Sequence, residues 1–271
     1  MKREVFSYTA TQLLPYIDWS YFFHAWGIKA EATTSPQAQE VKNDALALLK
    51  ENGETPVARA VFALCNARSS NDSIIIEEET TLPLLRQQHA RPGEPNLCLS
   101  DFVSPHNDNI GVFATTVCGI FKQSHDDTFK SLLIQTIASR LAEAAATLVH
   151  KEVRTNKQLW GYAPCERLTP QELNMEKFQG IRPAVGYPSL PDQSVIFIID
   201  ELLHLNDIGI ELTPNGAMQP HASVCGIMIS HPASRYFAVG KISKEQLNDY
   251  AERRGATPET LHKFLFKNTA K

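Results

Sequence analysis

The segment Arg182-Pro-Ala-Val-Gly-Tyr-Pro188 concentrates groups that could hold a small ligand. Two prolines and a glycine fix an irregular backbone, and an arginine and a tyrosine project from it. A guanidinium is a rigid fork of donors that matches a carboxylate. Gly186 lets a ligand approach the backbone, and Tyr187 offers an aromatic face with a polar tip. Together these residues suit a small zwitterion carrying an aromatic base. A purely structural loop is the commoner use of such a sequence. A second candidate is His231-Pro-Ala-Ser-Arg-Tyr236-Phe237, read as a connection between two strands, whose aromatic pair either packs in the core or lines a pocket. Glu143 is a third. The small neighbours Ala142, Ala144, Ala145 and Ala146 leave room for something bulky, although a solvated carboxylate paired with Arg140 is the plainer reading. Asp18, between Ile17 and Trp19, is either a helix cap or a cation ligand.

Other chemistries find little support. There is no Gly-x-Gly-x-x-Gly, Walker loop, Gly-x-Ser-x-Gly or His-Glu-x-x-His. The tetrads Glu201/His204 and Glu259/His262 have di-iron spacing, but strands between them argue against a four-helix bundle, so surface positions are expected. The five cysteines include no Cys-x-x-Cys pair, which reads as buried free thiols without a structural zinc. The net charge of −4, without a basic run, disfavours nucleic acid. No signal-like stretch opens the sequence, and no run approaches the ~18 apolar residues of a membrane span. A cytoplasmic protein is expected.

Several elements must position these residues. Ser35 and Pro36 start a helix over 36–51 that Gly53 ends. Residues 57–64 and 74–76 read as strands, as do 97–102 and 110–116 around a turn at 105–109. The clearest element is a helix over 127–153, with Phe129, Leu133, Ile137, Leu141 and Leu148 at helical spacing and Asp126 as cap. Thr169, Pro170 and Glu172 begin a short helix. A Pro- and Gly-rich loop spans 180–191; residues 195–205 then read as either helix or strand, and helix is preferred because Asp192 can cap it and it carries Glu201. Residues 223–230 and 236–239 read as strands. Ser243 with Gln246, and Thr257 with Pro258, open two closing helices. Strands mixed with long helices, without a βαβ rhythm, indicate one α+β domain over 1–271 with a bent, mostly antiparallel sheet flanked by helices.

In chain order, a set of motifs resembles one family. Tyr16-Ile-Asp-Trp-Ser-Tyr-Phe-Phe23 with Trp26 is similar to the entry motif of the activation domain of cobalamin-dependent methionine synthase. The likeness continues through Leu99-Ser-Asp-Phe-Val-Ser-Pro105, His125-Asp-Asp127, Arg140-Leu-Ala-Glu143 and Trp160-Gly-Tyr-Ala-Pro164. It extends through Gly180-Ile-Arg-Pro-Ala-Val-Gly-Tyr-Pro188, Ala222-Ser-Val-Cys-Gly226, Ser230-His-Pro232 and Tyr236-Phe-Ala-Val239. The resemblance implies S-adenosylmethionine in a shallow groove, contacted by Asp18, Glu143, Arg182, Ala184, Gly186, Tyr187 and Tyr236. It implies no catalytic acid or base and no metal ligand, because the nucleophile is the reduced cobalt itself. Tyr21, Gln193 and Pro214 depart from the family pattern; they leave the nucleotide residues intact and bear on contacts to the corrin or partner domain.

The sequence lacks the corrin-ligating Asp-x-His-x-x-Gly and the paired-cysteine zinc site for homocysteine. The resemblance therefore implies a detached reactivation module. Its partners would be a cobalamin-binding methionine synthase polypeptide and a flavodoxin-type electron donor. The alternative is a sensor of S-adenosylmethionine, or a corrinoid-protein binding module, without turnover.

Overall fold

The computed structural model describes residues 1–117 and 127–269. The chain opens with β1 (Lys2–Thr9), α1 (Ala10–Leu13), α2 (Trp19–Ala25) and α3 (Pro36–Glu51). Three strands follow, β2 (Pro56–Ser70), β3 (Ser73–Ile76) and β4 (Thr80–Pro83), then β5 (Asp108–Val117). The long helix α4 (Thr128–Thr155) leads to α5 (Pro170–Asn174) and α6 (Val195–Leu203). A two-stranded ribbon of β6 (Glu211–Leu212) and β7 (Met218–Gln219) precedes β8 (Ser223–Met228), α7 (Lys244–Arg253) and α8 (Pro258–Leu265).

The expected α+β class holds. The main sheet is antiparallel in the order β4-β3-β2-β5-β8 and curls into a half-barrel. Its spine is β2. One edge of β2 pairs with β5, while the other takes β1 and, further along, β3. Alternate residues of the spine serve two cores. Ala58, Ala60 and Phe62 face α4, whereas Val61, Ala63 and Cys65 face the layer containing α6. With both faces covered, the central strands read as apolar runs rather than as a polar–apolar alternation. A smaller core joins α7 and α8 to Leu85, Val239 and Ile242.

α4 is long and apolar enough to cross a membrane, but 72% of its apolar window is buried inside the fold, as in a core helix. Its alanines allow close packing on the sheet, where the Thr115 hydroxyl donates to the Ala142 carbonyl at 2.9 Å. Asp127 caps this helix by accepting from the Lys130 amide. The expected cap, Asp126, lies outside the described residues, as do Cys118 and His125.

The caps expected at Ser35, Thr169, Ser243 and Thr257 are all present. Four other expectations are corrected. Residues 97–102 do not form a strand; Leu99–Phe102 is a 3-10 turn, and β5 pairs instead with β2 and β8. Residues 236–239 join no ladder, because Ser189 engages the backbone of Phe237 and the Pro188 carbonyl takes the Val239 amide. The segment from His231 therefore links β8 to the loop around Pro188 rather than to another strand. Ser194, not Asp192, occupies the cap position of α6; buried Asp192 accepts from Ser194 and from the Tyr250 hydroxyl. Finally, Cys65, Cys98 and Cys225 are buried thiols, but Cys165 is exposed.

One close approach positions the candidate ligand loop. Residues 181–185 run antiparallel to β8, with Ile181 opposite Ile229 and Ala184 opposite Gly226. A Cβ on Gly226 would lie 2.2 Å from the Pro183 carbonyl oxygen and 2.8 Å from the Ala184 Cα. Both are backbone atoms that cannot swing away. Gly226→Ala should therefore lower stability by about 2–3 kcal/mol or more, as overpacking of a tight site does. Denaturant unfolding measures this, and an unchanged midpoint would mean the loop does not lie against β8.

Candidate functional site

The loop, α4, the start of α2 and the segment at Tyr236 enclose a cleft of about 570 Å³. That volume lies within the range of small-ligand sites. Asp18, Glu143, Arg182, Ala184, Tyr187 and Tyr236 all line it. Gly186 does not line the cleft; it makes the turn that presents Tyr187. Its φ of +82° favours glycine, and a Cβ there would meet Gln193 Oε1 at 2.5 Å.

Residues of α4 one turn apart supply the floor. Arg140, Glu143 and Thr147 face the cleft in succession. The Arg182 guanidinium crosses to this helix, donating from Nη2 to the Thr147 hydroxyl at 2.9 Å and standing 3.6 Å from Glu143 Oε2. Glu143 Oε1 accepts from the Tyr187 hydroxyl at 2.7 Å. Glu143 is thus not paired with Arg140, whose guanidinium instead lies 5.6 Å from the Tyr21 ring centroid. Asp18 caps α2, its Oδ1 accepting from the Ser20 amide and hydroxyl, and it lines the cleft as well.

The Tyr236 hydroxyl accepts from the Arg182 amide at 3.0 Å, tying the second candidate segment to the first. Burial, reinforced for Tyr187 by the Glu143 charge, raises both phenols above the ordinary tyrosine value, so both are neutral donors at physiological pH. Ala184 contributes its backbone. It forms the non-hydrogen-bonded pair with Gly226, between the bonds Val185 N–H to Cys225 O and Ile227 N–H to Pro183 O. Its own N–H therefore points away from β8. The amide has no hydrogen-bond partner among the described residues. The cleft thus offers an arginine fork, carboxylates, two phenols and a backbone donor.

The family model for the activation domain of vitamin B12 dependent methionine synthase matches residues 9–255. The chain belongs to that family. A crystal structure of the MetH reactivation domain bound to AdoHcy superposes with a TM-score of 0.91 at 35% sequence identity, over 100% of this chain and 91% of that one. As a methionine synthase activation domain, the chain is part of a methyltransferase system.

Sequence reasoning missed several residues lining the activation domain's cleft, among them Thr147, Glu176 and Phe178. Thr147 was findable, because it lies one helical turn beyond Glu143. Glu176 and Phe178 carry no periodic signal, and only the path of the chain after α5 places them there.

Behind the cleft, α4 carries the fully buried His150, whose Nε2 lies 2.9 Å from the Tyr162 hydroxyl. Burial, and then the charges of Arg154 and Arg182, hold this imidazole well below its ordinary value. The unfolded chain therefore binds a proton near pH 6.5 that the folded chain refuses. Stability should be unaffected by this group above that pH and should fall below it, by at most about 1.4 kcal/mol per pH unit. Melting temperatures between pH 7.5 and 5.5 (roughly one unit either side of that value) check this against His150→Gln, in which the slope should flatten.

Proposed function

We propose that the cleft binds S-adenosylmethionine and presents its methyl group to a reduced cobalamin carried by a separate methionine synthase polypeptide. The observation that supports this most is the meeting of Arg182, Glu143 and Tyr187 across one cleft of about 570 Å³. AdoHcy, the ligand of the related reactivation domain, is what S-adenosylmethionine becomes once the methyl has left.

In this reading Arg182 holds the methionine carboxylate, with Thr147 fixing one arm of its fork. Glu143 or Asp18 takes the α-ammonium or a ribose hydroxyl. Asp18 Oδ1 is engaged by Ser20, which leaves Oδ2 for the ligand. The Ala184 amide offers a donor to the purine edge, Gly186 shapes the turn, and Tyr187 and Tyr236 border the pocket. The sulfonium supplies an activated methyl and the reduced cobalt the nucleophile, so no side chain of this domain has to move a proton. Its work is positioning. A flavodoxin-type donor would supply the electron that makes the cobalt nucleophilic.

Calorimetry should show S-adenosylmethionine binding at micromolar or weaker strength, and an absence of heat at millimolar ligand would refute the proposal. Arg182→Ala should weaken binding by about 10- to 150-fold, the loss of roughly 1.5–3 kcal/mol for a charge-assisted contact. The domain should also co-migrate on a sizing column with a cobalamin-binding methionine synthase polypeptide, more strongly when the cofactor is oxidised than when it is methylated. Binding of S-adenosylmethionine without methyl transfer to the partner would favour the sensor reading instead.

A further inference from the structure

We propose that Phe178 is the end wall of the cleft and sets the length of the amino-acid arm it accepts. The inference rests on reading the cleft as an S-adenosylmethionine site. Arg140, Glu143 and Thr147 line the cleft on successive turns of α4, and there the lining by this helix stops. The next positions along that face, His150 and Arg154, are each only 1% exposed. Phe178 covers both. Its ring stands edge-on to His150, with centroids 4.9 Å apart at 84°, and the Arg154 guanidinium carbon lies 4.6 Å from its centroid. The same ring lines the cleft.

The apparatus behind Phe178 is costly. Arg154 donates from Nε to Glu166 Oε2 at 2.8 Å, forming an ion pair that is almost wholly buried. A buried pair repays the desolvation of its charges only with good geometry, and apolar side chains would often stabilise the fold as well. His150 Nδ1 has no hydrogen-bond partner among the described residues. Glu166 Oε1 accepts from the Gln179 amide at 3.3 Å, so the carboxylate that holds Arg154 also holds the backbone beside Phe178. These contacts specify where one aromatic ring stands. Arg154, Glu166 and His150 are accordingly positioning residues for Phe178.

The wall lies at the arginine end of the cleft. Arg182 donates to Thr147, one turn before His150 on α4. If Arg182 holds the carboxylate of the ligand, the ring bounds the amino-acid arm and lies far from the purine.

Two probes distinguish the ends: S-adenosylhomocysteine, which has the arm, and 5′-methylthioadenosine, which lacks it. Phe178→Ala should weaken S-adenosylhomocysteine by about 5- to 30-fold, the scale of one well-packed apolar contact. Methylthioadenosine should change by less than about two-fold. Phe178→Tyr should restore the preference, and Arg154→Met should reproduce part of the loss for the armed ligand alone. If Phe178→Ala does not fold, Phe178→Leu provides the same comparison with a smaller loss. Equal weakening of both ligands, or of neither, overturns the proposal. A wild-type protein that binds neither ligand overturns the reading of the cleft itself, a separate and earlier result.

Discussion

The close approach of residues 181–185 to β8 over Gly226 determines much of what surrounds it. The loop extends the sheet by one irregular strand, and the side-chain alternation of a strand follows from that. Ile181 and Val185 enter the core shared with α6, while Ala184 joins the core shared with α4, and Arg182 reaches Thr147 on that helix. A slip of one residue would exchange these faces and send the guanidinium into an apolar layer. Register is therefore strongly specified, and glycine is the residue that lets the two backbones meet. The turn at Gly186 and the contacts of Ser189 with Phe237 then fix how far Tyr187 and Tyr236 stand from that strand.

α4 supplies the opposing surface. A helix places residues three and four apart on one side, so Arg140, Glu143, Thr147, His150 and Arg154 form a single line. Along this line the environment changes from open to dry. Arg140 lies against an exposed tyrosine, Glu143 and Thr147 meet Arg182 at the floor, and His150 and Arg154 are sealed behind Phe178. At the sealed end Arg154 is held by the Glu166 carboxylate. One helix thus carries both polar groups that line the cleft and the framework beneath Phe178.

Much of this was legible in the amino-acid sequence. Cap residues and periodicity act within a few residues of one another, so α3, α5, α7 and α8 were readable together with their caps, as was the extent of α4. The order of motifs along the chain identified the family, and six of the seven residues nominated for the ligand line the cleft. The elements read wrongly were short apolar runs. Residues 97–102 and 236–239 have strand composition, but strand formation needs a partner edge, and none reaches them. β1 went unread for the converse reason: its half-exposed residues carry a weak signal, and it is a strand because one edge of β2 is open to it.

What the sequence determined by itself was local and compositional: the starts of α3, α5, α7 and α8, the α+β class and the loop chemistry of Arg182, Gly186 and Tyr187. What only the tertiary structure decided was which groups meet across long separations. Glu143 turns to Arg182 and Tyr187 rather than to Arg140, because the loop's pairing with β8 brings a cation and a phenol to its side. Asp192 leaves the cap of α6 for a buried bond with Tyr250, because the packing of α7 delivers that hydroxyl. Phe178 closes the cleft because Arg154 and His150 lie beneath it. Each of these contacts joins residues that no local period relates, so burial and the path of the chain, rather than spacing, select the partner.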